Sequence, residues 1–321
     1  MAKQAVLLLA HGTPESVEQI PEYLLNVTGG RPLPQAVIEE IQHRYSLIGH
    51  SPLTEITVEQ GRLVEAELAA GGQPVPVYVA MRNWRPYIPD VVRQMRADGV
   101  EEAAVICMAP QNSRTSVGLY RRAVEAESAG LRIDFTEAWA QHPLLIEAFA
   151  ERLRPALKKL SAEAGYAVPV LFTAHSVPCR TIQTPSAENK AVPVAPDPYA
   201  EEAKRTAALV AARVPGISRW FFAFQSQGAI GGPWIGPTVE QTLDTLSAEG
   251  VRTLMLQPIG FLCDHVEILY DVDILFRGYA AKLGIRLERP ESLNASPTLA
   301  RAVADLANLG LARLQSAVTA S

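Results

Sequence analysis

Short runs of Val, Ile, Leu and Phe recur along the chain, each followed by a longer amphipathic stretch. Continuous apolar runs bounded by polar segments mark strands buried on both faces, and the stretches between them mark crossover helices, which together spell parallel β-sheet. The spacing predicts strands near 4–10, 75–81, 102–109, 132–136, 168–174, 218–225, 251–257 and 284–288. Helices are predicted near 16–26, 35–48, 56–70, 87–98, 114–129, 143–161, 197–213, 237–249, 266–281 and 297–311. Gly72, Gly99, Gly130, Gly165, Gly250 and Gly284 stand where a helix hands over to a strand, as C-terminal helix glycines do.

The pattern repeats. Ala5-Val-Leu-Leu-Leu-Ala-His-Gly-Thr-Pro14 parallels Val170-Leu-Phe-Thr-Ala-His-Ser-Val-Pro178, so His11 and His175 are pseudo-equivalent. Val77 to Met81 parallels Trp220 to Phe224, and Val105 to Pro110 parallels Leu254 to Pro258. His11 precedes Ala80 by 69 positions and His175 precedes Ala223 by 48, so the first half carries about 20 extra residues after its histidine. That insertion holds Gly29-Gly-Arg-Pro32 and the stretch Arg44 to Pro52. Doubly wound sheets bind ligands beyond the carboxyl ends of their strands, so a cleft between two such halves is the expected site.

A chain of 321 residues has room for about two domains. The net charge of −5 argues against a partner held by its phosphates and for a small molecule, so no nucleic acid is expected. Cys107, Cys179 and Cys263 form no CxxC pair, so neither a zinc knuckle nor a disulfide framework is indicated, and a reducing cytoplasm fits. No apolar stretch is long enough for an integral membrane anchor.

Three segments carry candidate chemistry. His175 ends an apolar strand; it is either a hydrogen-bonded strand-end histidine or a base or ligand aimed into the crevice. In the run Gln257 to Asp273, Asp264, Glu267 and Asp271 fall at i, i+3 and i+7 on one helix face. A capping box would account for Asp264 and Glu267 but leaves Asp271, whereas a cation or proton traffic would account for all three. Phe224-Gln-Ser-Gln-Gly228 with Pro233-Trp-Ile-Gly-Pro237 is either a connection or a loop whose Trp234 stacks on a flat ligand. Arg31, Arg44, Tyr45, Ser51, Arg82, Arg85, Tyr120, Arg121 and Arg122 offer cations and hydroxyls suited to carboxylates.

These segments resemble the ferrochelatases, which insert ferrous iron into a porphyrin. The resemblance rests on Ala10-His-Gly-Thr-Pro14, Arg44-Tyr45 leading to Ser51-Pro-Leu53, Thr173-Ala-His-Ser-Val-Pro178, the Phe224 and Pro233 motifs, and Pro258-Ile-Gly-Phe-Leu-Cys-Asp-His-Val-Glu-Ile-Leu-Tyr-Asp271. It implies an α/β fold of two Rossmann-like lobes with parallel sheets and a central cleft, residues 1–145 forming the lobe with the porphyrin-rim insertion and 146–311 the lobe with the metal-site residues. Polar residues 312–321 read as a flexible tail.

The resemblance further implies that His175 and Glu267 are the catalytic, iron-facing residues, with Asp271 on a proton path. It places Arg44, Tyr45, Ser51 and Tyr120 against the macrocycle or its propionates. The short link Tyr45 to Pro52 resembles the soluble branch that uses coproporphyrin III. Where that branch commonly has a proximal tyrosine this chain has His11, and where it has a propionate-binding arginine this chain has Thr28, with Arg31 nearby. Protoporphyrin IX, a sirohydrochlorin-type metal insertion and a non-catalytic tetrapyrrole or haem carrier are the competing readings. Fe²⁺ enters as substrate; no tightly bound cofactor and no iron–sulfur cluster is expected. Beyond porphyrin and iron, the expected partners are transient contacts with other haem-pathway enzymes.

Overall fold

A computed structural model describes residues 2–182, 197–227 and 232–319; Gly228 and residues 183–196 of the loop beyond His175 lie outside them. The described strands are all parallel and form two four-stranded sheets. The first runs in the order β2 (Val77–Met81), β1 (Gln4–Ala10), β3 (Glu102–Cys107), β4 (Arg132–Thr136). The second runs β6 (Trp220–Gln225), β5 (Val170–His175), β7 (Thr253–Pro258), β8 (Arg286–Glu288). The two orders are identical once four is added to each label. The segments paired by sequence therefore occupy matching places, with β1 and β5 as the inner strands that lead to His11 and His175. The fold is α/β with two lobes, as the hydrophobic pattern predicts.

Strand burial follows from the two-sided cover. Ala5 to Leu9 and Val170 to Ala174 have no exposed surface because helices lie on both faces of each sheet. All six predicted handover glycines have positive φ, between 72° and 86°. Five follow a helix end directly and Gly130 sits in the turn before β4, all in the left-handed region that side chains resist.

The lobes are not independent. One core cluster holds Val6, Leu8, Ala104 and Ile106 of the first sheet together with Val170, Phe172 and Met255 of the second. Between them lie α6 (Pro143–Ala164) and α12 (Pro297–Thr319). The last helix crosses back and packs on β3, β4 and α3 (Leu53–Ala70) of the first lobe. Gly310 permits the close approach: a Cβ there would come within 3.0 Å of the Ala104 side chain and of an Asp134 carboxylate oxygen. The last helix, which follows the second sheet in the chain, thus completes the packing of the first lobe across the division expected at residue 145.

Two expectations are corrected. The tail predicted at 312–321 is mostly helix: α12 continues to Thr319, Arg313 pairs with Asp134 at 2.6 Å, and Leu314 is buried. Its apolar face continues the stripe of Val303, Ala307 and Leu311, which polar neighbours obscured in the sequence. The single helix predicted at 266–281 is instead a short turn, α10 (Val266–Leu269), a π-helical segment over Asp271–Phe276, and α11 (Arg277–Lys282).

Candidate active site

A cleft of about 380 Å³ opens at the carboxyl ends of β1 and β5. His11 and His175 both line it, and Glu267 joins them from α10. Nε2 of His175 lies 3.2 Å from Oε1 of Glu267, and Nε2 of His265 lies 3.3 Å from Oε2 of the same carboxylate. The other ring nitrogen of His175 faces the Ser176 carbonyl, and that of His265 faces the Cys263 carbonyl at 3.1 Å. Both imidazoles thus have an oxygen acceptor at each ring nitrogen. The geometry removes the capping box: His265 is the N-cap residue of α10 and makes no side-chain cap. Asp264 turns away to Ser292, Asn294 and Arg289.

Burial opposes a charge on His175, but the charge and hydrogen bond of Glu267, the Ser176 carbonyl and the charge of Asp271 outweigh it and raise its pKa to about 9. Burial likewise opposes a charge on Glu267, and the two imidazoles bring its carboxyl well below the ordinary range. The surroundings are polar behind and aromatic in front. Gln225 bridges from the Thr173 hydroxyl, 2.6 Å from its Oε1, to the Glu267 carbonyl, 3.2 Å from its Nε2. Tyr199 donates to the His175 carbonyl at 2.9 Å. The rings of Trp234 and Phe261 each stand 6.3 Å from that of His175, so the Trp234 loop does border the cleft.

Across the cleft His11 is in the opposite state. Its burial, the charge of Arg82 and the facing histidines lower its pKa to about 3 against the pull of Glu267, so it is neutral. Nε2 of His11 is 3.0 Å from the Tyr23 hydroxyl, and the Asn83 amide nitrogen lies 3.1 Å from the same atom. Gly12 makes the turn after His11 with φ of 78°; a Cβ there would come within 2.7 Å of Met81 and 3.0 Å of Trp84. Two homologous strand ends thus present one neutral and one protonated imidazole to the same space.

Asp271 sits one turn further along, 7% exposed, taking the Ser226 hydroxyl on one oxygen and Arg44 at 3.8 Å on the other. Burial raises its pKa to about 6, with Glu267 adding to the rise and Ser226, Arg44 and His175 opposing it.

The remaining predicted residues divide. Tyr120 lines the cleft almost fully buried, with Arg82 5.0 Å over its ring. Arg44 does not line the cleft; it lies partly exposed against Tyr270, 5.1 Å from the ring centroid, and 3.8 Å from Asp271. Tyr45 is buried with the Ser51 side chain beside its hydroxyl, and Ser51 is buried with its own hydroxyl accepting from the Val266 N–H at 3.3 Å; neither lines the cleft. Thr28 and Arg31 are displaced from the cleft: the Thr28 hydroxyl faces the carbonyls of Leu24, Leu25 and Arg31 at the end of α1 (Ile20–Val27), and Arg31 donates to the Thr28 carbonyl at 3.2 Å. A helix-end hydroxyl close to free carbonyls satisfies them first.

Sequence reasoning passed over Tyr23, Asn83, Tyr199 and His265 as site residues. His265 alone had a signal, standing two positions before Glu267. Among the described residues no three His, Cys, Asp or Glu side chains converge to hold a resident metal ion. A cation in transit would meet the Glu267 carboxylate, a hard oxygen donor, and the borderline nitrogen of His175 only once that imidazole has given up its proton.

The family model for ferrochelatase matches residues 3–310. The chain belongs to the ferrochelatase family. It is 60% identical over 318 residues to a ferrochelatase of Acidobacterium capsulatum, covering 98% of this chain and 96% of the relative. It is 36% identical to a coproporphyrin III ferrochelatase of Mycolicibacterium vanbaalenii, covering 95% of this chain and 89% of the relative. Among solved structures, a sirohydrochlorin chelatase of Bacillus subtilis in complex with cobalt shares the fold, with a TM-score of 0.54 at 12% identity over 95% of this chain and 94% of that one. This ferrochelatase is an enzyme of haem biosynthesis, in a family that acts on a porphyrin and iron. No described helix is long and apolar enough to cross a membrane.

Proposed function

We propose that this ferrochelatase inserts Fe²⁺ into coproporphyrin III to give coprohaem. The observation that carries the reading is the His175–Glu267 pair facing neutral His11 across an aromatic-walled cleft. Metalation displaces two pyrrole protons and exchanges the water shell of the iron for four ring nitrogens. Glu267 is the ionised carboxylate that takes up a pyrrole proton, and the imidazolium of His175 beside it first gives up its own proton toward solvent and then accepts that one. Asp271, ionised above about pH 6, extends the carboxylate path toward the partly exposed Arg44. His11 faces the metal from the opposite side. Fe²⁺ is substrate, and the scheme needs no resident cofactor.

A tetracarboxylate must find cations on a chain of net charge −5. Arg82 supplies one within the cleft, with a buried guanidinium nitrogen that has no partner among the described residues. Ser113, Thr115, Ser116 and Tyr120 add hydroxyls along the same cleft, and Arg44, partly exposed beside Asp271, is a further cation outside its lining. The relatives named for coproporphyrin III favour that substrate. Cys107, Cys179 and Cys263 are free thiols, which suits a cytoplasmic enzyme.

Anaerobic turnover of Fe²⁺ with coproporphyrin III, protoporphyrin IX and sirohydrochlorin tests the reading. Coproporphyrin III is expected to show the highest kcat/KM. A higher value on either other substrate overturns the substrate assignment, and binding without a product band on all three identifies a carrier.

A further inference from the structure

The turn bearing Glu267 is not capped by its own N-cap residue. α10 is a single turn followed by a π-helical stretch; its own lobe ties the Asp264 N–H to Asn294 at 2.8 Å and the Glu267 carbonyl to Gln225 at 3.2 Å, but not the Val266 N–H. Its first N–H, that of Val266, is satisfied from the other lobe by the Ser51 hydroxyl at 3.3 Å. The same residue is held from its other end, because the Thr13 hydroxyl donates to the Ser51 carbonyl at 3.2 Å. Thr13 stands two residues after His11, and Val266 one residue before Glu267. Ser51 is 6% exposed, so its hydroxyl faces protein rather than the cleft.

We infer that Ser51 is a positioning residue: a strut between lobes that caps the Glu267 turn and ties its distance to the His11 turn. The kinetic part of this inference rests on the iron-insertion reading above; the cap itself does not. Orphan N–H groups at a helix start are worth capping, and loss of a serine cap opens the first turn about five-fold more often. Because Glu267 is fixed by two imidazoles, a looser turn degrades the alignment of the acceptor more than the affinity for the ring.

The test compares Ser51→Ala with Ser51→Thr, which keeps the hydroxyl. Amide hydrogen exchange over Val266–Leu269 is expected to quicken about five-fold in Ser51→Ala. Its kcat for Fe²⁺ insertion into coproporphyrin III should fall about ten-fold, with the porphyrin KM within about two-fold, and Ser51→Thr should restore both. Unchanged exchange overturns the strut. Quicker exchange with a raised KM and an unchanged kcat also overturns it, making Ser51 a substrate contact. A wild-type chain that inserts no iron overturns the proposed function, while the exchange comparison still decides the cap.

Discussion

His175 and Glu267 meet at 3.2 Å across the junction of a strand end and a helical turn. Each would be costly to charge alone at that depth, and each is charged because the other is there. His265 on the second carboxylate oxygen fixes the orientation of Glu267.

Removing either member should separate binding from chemistry. His175→Ala and Glu267→Gln are expected to lower iron insertion at least about 100-fold, since positioned acid–base groups contribute on that order. Porphyrin affinity, read by fluorescence quenching, should stay within a few-fold. Near wild-type turnover in both variants would remove them from the mechanism.

The pair also sets a pH window for stability. His175 has a folded pKa near 9 against an ordinary 6.5, so its contribution is full below 6.5 and fades as pH rises through 9. Glu267 is depressed from an ordinary 4.5, so its contribution is full above 4.5 and fades as pH falls through its lowered value. The plateau therefore lies between about 4.5 and 6.5. In Glu267→Gln, NMR titration of the His175 imidazole should show a midpoint at least about one unit lower, because burial then meets less opposition. An unmoved midpoint would mean that another group sustains the charge.

Asp271 gives the rate profile its acid limb. Its carboxylate is neutral below about pH 6 and cannot relay a proton there, so kcat should decline below that value. Asp271→Asn should lower the plateau and erase the limb; a limb that persists unchanged belongs to another group.

Truncation after residue 311 tests the helix that replaces the expected tail. It removes the buried Leu314 side chain, worth about 2 kcal/mol, and the exposed Arg313–Asp134 pair, worth less than about 1 kcal/mol. Thermal unfolding should show a loss of about 2 kcal/mol, read on the first lobe although the deleted residues follow the second. A truncated chain as stable as the intact one would make that packing dispensable.

The strands were legible because burial on both faces demands unbroken apolar runs, and the glycines punctuated them. The long lobe-exchanged helix was legible as a helix but not in its destination. Which sheet it covers depends on Ala104 and Asp134 meeting Gly310, far away in the chain. His175, Glu267 and Asp271 stood out by residue type and place. For Thr28 and Arg31 a position alone does not say which way a helix end turns its side chains, and here they fold onto one another's carbonyls.

By itself the sequence determined two α/β halves of one pattern, each leading a strand into Ala-His, because side-chain periodicity is local and repeats when the chain repeats. Only the tertiary structure decided that one of those histidines is neutral and the other protonated. A proton equilibrium depends on the charges and burial that distant segments bring, here Glu267 beside His175 and Arg82 beside His11.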